Sequence, residues 1–81
     1  MTKPATIGGW FDRGVADGAT HLIVVCDTFE HDDYPVFVKP GENARKIADK
    51  YSGKQMQRVI EVDNLSMDKA AQMGQSRVFN Y

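Results

Sequence analysis

The acidic residues between two apolar segments are the first place where this sequence could do chemistry. Two carboxylates and an imidazole could together hold a divalent cation. The candidate ligands are Asp27, Glu30, His31, Asp32 and Asp33. A calcium loop does not fit, because a loop starting at Asp27 would have Asp32 where glycine is required and Val38 where glutamate is required. We favour the alternative interpretation, a solvated acidic turn between two strands.

The single cysteine, Cys26, is the other residue whose chemistry could support catalysis. A thiolate nucleophile needs a nearby base, for which His21 and His31 are the candidates. Side chains alternate across a strand, so Cys26 and His21 are predicted to lie on opposite faces. Burial in an apolar strand also raises the pKa of a thiol. We therefore predict that Cys26 is a packing residue, and that Asp27 caps the following turn rather than facing a shallow pocket beside Tyr34.

The charged residues are unevenly distributed, although the formal net charge is only −1. Residues 1–38 carry two basic and six acidic side chains, whereas residues 39–58 carry six basic and two acidic ones. The second range could bind phosphates, with Phe37 or Tyr51 stacking on bases. The residues of this candidate nucleic-acid site are Lys39, Arg45, Lys46, Lys50 and Lys54. A solvated helix face explains the same pattern and no nucleic-acid motif is present, so we favour that explanation.

The apolar run 21–29 is the element that must position these groups. Both of its faces are apolar through the middle, which is typical of a central strand covered on both sides. Residues 34–39 are predicted to form a β-hairpin with it. Residues 55–64 alternate between apolar and polar side chains, which predicts a third strand with one buried and one wet face. The predicted buried set is Met56, Arg58, Ile60 and Val62, and the predicted wet set is Gln57, Val59, Glu61 and Asp63.

Three amphipathic segments predict helices around these strands. The first lies between Thr6, as its N-cap, and Gly18. The second spans 42–52, and the third lies between Ser66, as its N-cap, and Gly74. Their predicted inward residues are Ile7, Trp10, Phe11 and Val15 in the first, Ala44, Ile47, Ala48 and Tyr51 in the second, and Met67, Ala70 and Ala71 in the third.

These elements predict one α+β domain over residues 1–81, with the order α-β-β-α-β-α. The second strand, second helix and third strand form a β-α-β unit. The most apolar strand belongs at the centre, which gives a three-stranded, mainly antiparallel sheet in the order 2-1-3. Helices pack on this sheet in a two-layer sandwich. The tail 75–81 is predicted to be an edge strand, a docked arm or a flexible end.

Composition excludes several classes of protein. A chain of 81 residues builds too small a core to contain a deep cleft. One cysteine allows neither an internal disulfide nor a cysteine-based zinc cluster. The sequence has no cofactor motif, no apolar run of membrane-spanning length and no signal peptide. We therefore expect a soluble, cytoplasmic protein that uses no cofactor.

Most of the chain resembles small uncharacterised (hypothetical) proteins of phage and bacterial genomes. The segments that carry the resemblance are WFDRGV (10–15), GATHLIVVCDTF (18–29), DYPVFV (33–38), KPGE (39–42) and MQRV (56–59). The resemblance implies a compact, self-standing domain. It implies no activity and no site residues, because none are known for that group.

The sequence favours a non-catalytic accessory or protein-interaction domain. The separation of acidic and basic residues suits binding to a complementary protein surface or self-association. Two alternatives remain open. One is a weak nucleic-acid-binding protein that uses residues 39–58, and the other is a small metal-dependent enzyme that uses the acidic hairpin.

Overall fold

Three helices and three strands follow one another in the predicted order. The computed structural model describes residues 4–29, 32–52, 57–73 and 78–81. The elements are α1 (Pro4–Ala16), β1 (His21–Asp27), β2 (Asp32–Val38), α2 (Ala44–Tyr51), β3 (Gln57–Asn64) and α3 (Lys69–Met73). Within the described residues, no helix is both long enough and apolar enough to cross a membrane.

The central strand is β1, which pairs with an antiparallel neighbour on each side. The strand order β2-β1-β3 confirms the predicted α+β class and the predicted 2-1-3 order. Leu22, Ile23, Val24 and Val25 are all fully inaccessible to solvent. A continuous buried run of this kind forms where both faces of a strand are covered.

The helices are divided between the two faces of the sheet. On the α1 face, Phe11 of α1 packs in a cluster with Leu22 and Val24. On the α2 face, Ala48 of α2 packs in a second cluster with Ile23. Alternate side chains of β1 therefore enter two separate cores, and each core is closed by one of the longer helices.

A β-bulge in β3 shifts the alternation of its side chains. Val24 pairs with Glu61 and Val25 pairs with Val59, which leaves Ile60 as the extra residue. Ile60 packs in the cluster on the α1 face, whereas Val62 is buried in the cluster on the α2 face. The predicted buried set, which placed these two residues together, is wrong because simple alternation does not continue through a bulge.

The same bulge buries two acidic residues that were predicted to be wet. Glu61 lies opposite Val24, and Asp63 lies opposite Leu22. Residues directly opposite each other in an antiparallel pair share a face, so both carboxyl groups belong to the α1 face. Glu61 is 8% exposed and Asp63 is 0% exposed.

Polar side chains fix several element ends that differ from the predicted ones. β1 ends at Asp27, whose Oδ1 accepts a hydrogen bond from the Phe29 N–H at 2.9 Å. This contact confirms the predicted capping role of Asp27. α2 begins after Asn43, whose Oδ1 accepts the N–H of Lys46 at 3.1 Å, so the helix starts later than its predicted start at Glu42.

The predicted N-caps of the other two helices are wrong. α1 already begins at Pro4, which is favourable in a first turn, so Thr6 lies inside the helix. α3 begins after Asp68, whose Oδ2 accepts the N–H of Ala71 at 3.0 Å. Ser66 instead donates its hydroxyl to Asn64 Oδ1 at 2.6 Å.

Close packing of α1 against the sheet depends on Gly14. This glycine is buried, whereas Val15, predicted to face inward, is 52% exposed. A Cβ at position 14 would lie 2.7 Å from Leu65 Cδ1 and 3.0 Å from the ring of Phe37. Real Cβ contacts are longer than this, so α1 approaches the sheet closely at a position that lacks a side chain.

We predict opposite effects for alanine at two glycines of α1. Gly14→Ala should lower the free energy of unfolding by about 1–3 kcal/mol, because Leu65 and Phe37 must move. Gly9→Ala is the matched control, since nothing lies within 4 Å of its Cβ position. That change should raise helix stability by about 0.5–1 kcal/mol. Urea denaturation measures both, and a Gly14→Ala protein as stable as Gly9→Ala would contradict the packing.

Candidate interaction site at the edge of β3

The acidic hairpin contains some of the predicted metal ligands in its described part. Asp27 is the cross-strand partner of Asp32, and Asp33 is the partner of Cys26. The other two candidates, Glu30 and His31, lie outside the described residues. Among the residues that the structure describes, no group of three potential ligands is placed to hold a metal ion. The solvated acidic turn therefore stays the prediction for this hairpin, and the metal site stays its alternative.

Cys26 is a partly buried residue of β1. Burial first, and then the hydrogen bond and negative charge of Asp33, raise the pKa of its thiol. A raised pKa keeps the sulfur protonated and weakly nucleophilic. The ring of His21 is engaged elsewhere, since its Nδ1 lies 2.9 Å from Thr20 Oγ1. This arrangement suits a packing role for Cys26.

A shallow concavity of about 290 Å³ lies where β1 begins and β3 ends. Val15 and Leu65 form part of its apolar wall, and His21 is the one titratable side chain among its described lining residues. Its volume is at the lower limit of ordinary small-molecule sites. Thr20 and Ser66 add hydroxyl groups to the same lining, but no carboxylate lies among the described lining residues to orient the imidazole.

The predicted basic residues lie mostly on the solvent side of α2. Arg45, Lys46 and Lys50 are exposed, as is Lys39 in the preceding loop, whereas Lys54 lies outside the described residues. Within the described parts of the chain, Lys69 Nζ forms an ion pair with Asp12 at 2.9 Å, and no ion pair involves a residue of α2. The basic face of α2, defined as Arg45, Lys46 and Lys50, therefore has no carboxylate partner among these residues.

The C-terminal arm, residues 78–81, lies along the outer edge of β3. The Val62 N–H donates to the Val78 carbonyl oxygen at 2.8 Å, and the Asn80 N–H donates to the Val62 carbonyl oxygen at 2.9 Å. Val62 and Phe79 form a parallel bridge. This arm is the described part of the predicted tail, and it occupies main-chain groups that an edge strand would otherwise expose.

Gln72 continues this edge with a side chain in place of a strand. Its Oε1 accepts the Asn64 N–H at 2.7 Å, and its Nε2 donates to the Asn64 carbonyl oxygen at 2.9 Å. The same Oε1 accepts Asn80 Nδ2 at 3.0 Å, which links the arm to α3. Gln72 is 3% exposed, so these bonds lie in a largely dry environment.

No pattern in the sequence indicates the role of Gln72, because a hydrophobic pattern cannot identify a buried amide. The predicted inward residues of α3 were Met67, Ala70 and Ala71, and this prediction is wrong. Met67 is 48% exposed, and both alanines are also exposed. The helix instead points its amide at the edge of β3, where main-chain groups need partners.

Asp63 is a buried carboxyl group beside this edge. Neither of its side-chain oxygens has a hydrogen-bond partner among the described residues. Burial first, and then the neighbouring acidic side chain of Glu61, raise the pKa of Asp63 to about 8. The neutral acid is therefore the main form of Asp63 at neutral pH.

Comparison with protein-family models, curated proteins and solved structures gives no match to this chain. The resemblance to small phage and bacterial proteins therefore stays a prediction from the sequence. Among the described residues, the basic face of α2 and the edge of β3 are the two surfaces whose geometry suits a binding partner.

We predict that alkaline pH weakens the fold through Asp63. Its pKa in the folded state, about 8, lies above its ordinary value of 3.8. Between these values the folded chain binds more protons than the unfolded chain, so the free energy of unfolding falls as pH rises. Asp63→Asn should remove the contribution of Asp63 to the pH dependence of the free energy of unfolding. It should also stabilise the protein at about pH 8, because an amide cannot ionise.

Urea denaturation at about pH 5 and about pH 8 measures this effect. Asp49→Asn is the matched control, since Asp49 is exposed on α2. It should leave the pH dependence of the parent unchanged. An identical pH dependence in the parent and in Asp63→Asn would contradict a proton held at Asp63.

Proposed function

We propose that this chain is a non-catalytic protein-interaction domain that binds an acidic surface of its partner through the basic face of α2. The observation that carries the proposal is the set of exposed cations on this helix, which lack carboxylate partners among the described residues. Complementary charges accelerate association and select between partners. An acidic partner would supply the missing counter-charges.

Helix α2, which carries these cations, is anchored to the core of the domain. Its opposite side is held by Ala44 and Ala48, which are buried in the core of the α2 face. Its first turn is capped by Asn43. A helix anchored in this way keeps its exposed charges in fixed relative positions, which reduces the entropy lost on binding.

The spacing of the cations adds a second argument. Lys46 and Lys50 are four residues apart, so they are neighbours on the helix surface. Like charges at this spacing destabilise a helix by a few tenths of a kcal/mol, about 0.2–0.5 kcal/mol per pair. A bound carboxylate between them would relieve the repulsion, so the unfavourable pair in the free domain becomes favourable in a complex.

Nucleic acid is the alternative partner for the same face. The predicted stacking residues argue against it, since Phe37 packs on the α1 face and Tyr51 packs against the core of the α2 face. One observation favours it. Tyr81, which is 40% exposed, lies under Arg45, with 4.4 Å between the guanidinium carbon and the ring centre. An aromatic ring beside cations is a feature of single-strand binding.

We predict that Lys46→Glu with Lys50→Glu weakens binding of a labelled oligo-glutamate peptide, which represents the acidic partner, at least about tenfold. The matched control is Arg13→Glu with Arg58→Glu, because both arginines are exposed and the net charge changes equally. The control should bind like the parent. Fluorescence anisotropy at several salt concentrations measures the affinities.

Two results would contradict the proposal. The first is equal loss of peptide binding in both double variants, which would mean that net charge alone is sensed. The second is tighter binding of single- or double-stranded oligonucleotides at about 0.15 M salt, lost only in the α2 variant, which would establish the nucleic-acid alternative.

A further inference from the structure

We infer that the outer edge of β3 is a binding site for an extended peptide segment of a second protein. The C-terminal arm occupies this site, here called the peptide seat, and can be displaced from it. The peptide seat is defined by Val62, Asn64, Gln72 and Arg45. It lies beyond the proposed function, because it shares only Arg45 with the basic face of α2 and does not include Lys46 or Lys50. Lys46→Glu with Lys50→Glu therefore distinguishes failure of one proposal from failure of the other.

The main chain of Val62 is the centre of the seat. Its N–H and its carbonyl oxygen both point away from β1, and the arm satisfies both. Addition of a strand to a sheet edge through such groups is a general mode of peptide recognition. The direction is set by the parallel bridge between Val62 and Phe79. A partner segment would therefore run parallel to β3.

The side chains of the arm show which residues the seat accepts. Val78 is 8% exposed, so the first position takes an apolar residue of similar size. Phe79 is 52% exposed, so the second position is permissive. At the third position, Asn80 donates to Gln72 Oε1. At the fourth, an aromatic ring such as that of Tyr81 can lie against Arg45.

The described residues of the arm, 78–81, pair with one part of β3. β3 runs from Gln57 to Asn64, but among the described residues the arm forms its bridge at Val62 alone. Asn64 is satisfied by Gln72 instead of by a strand. A partner segment that pairs with the same main-chain groups of Val62 would compete with the arm for this edge.

The tethered arm protects the edge when no partner is bound. An exposed edge strand invites pairing between copies of a protein, and a short cover suppresses it. Because the arm belongs to the same chain, its effective concentration at the seat is on the order of millimolar. A free peptide with the same sequence at micromolar concentration should therefore bind poorly to the parent protein. It should bind well once the arm is released.

The test uses the full chain and a labelled peptide with the sequence of residues 76–81, SRVFNY. Val78→Asp should release the arm, because it would bury a charge, and the variant should bind the peptide at least about tenfold more tightly than the parent. Phe79→Asp is the matched control, since position 79 is half exposed. This control should bind as weakly as the parent.

Further arms of the experiment make the result specific. A peptide carrying aspartate in place of its valine should not bind, and Gln72→Ala in the Val78→Asp chain should weaken binding of the normal peptide. If circular dichroism shows that Val78→Asp is unfolded, Val78→Gly replaces it. Lys46→Glu with Lys50→Glu, added to the released chain, should leave peptide binding unchanged.

Failure of the peptide to bind a folded, released chain would overturn the inference, and the arm would then be an edge cover only. Equal binding of the normal and the aspartate peptide would overturn it as well, because the seat would lack the apolar position. Loss of binding in the Lys46 and Lys50 variant would assign the peptide to the basic face of α2 instead.

Discussion

The extra residue at Ile60 decides which side chains of β3 are buried. Without this bulge, Val62 would face α1, and Glu61 and Asp63 would face α2. With the bulge, Val62 enters the core of the α2 face, and Glu61 and Asp63 turn toward the α1 face. The main-chain groups of Val62 then point outward, where the C-terminal arm binds them.

This register also places the arm beside the buried acids. Val62 is level with Phe79, so Val78 lies beside Glu61, and Asn80 lies beside Asp63. The arm therefore runs level with a carboxyl group whose pKa is raised to about 8. A carboxyl group kept neutral in this way is tolerable at neutral pH, whereas its ionised form would be an unpaired buried charge. Burial of Asp63 and docking of the arm thus depend on one strand geometry.

Local pattern was sufficient to predict the α+β class, the order of the elements and the order of the strands from the sequence. The apolar run of β1 indicated a central strand, and this alone determined the observed strand order. The side chains that make up the candidate site were not predictable in the same way. The apolar and polar residue types around Ile60 alternate regularly, so they do not indicate the bulge. Gln72 contributes hydrogen bonds from a polar side chain, which an analysis of apolar helix stripes does not identify. Polar contacts between distant residues, such as Asn80 with Gln72, appear only once the fold brings them together.

The central claim is that the arm holds the Val62 edge and can be exchanged for a peptide. Amide hydrogen exchange, followed by NMR, tests it at the Val62 N–H, which donates to Val78 in the parent. The account predicts that this amide loses protection in Val78→Asp, while the amides of β1 keep theirs, and that the SRVFNY peptide restores it. Full protection of Val62 in the folded variant without peptide, or no recovery when peptide is added, would contradict the account.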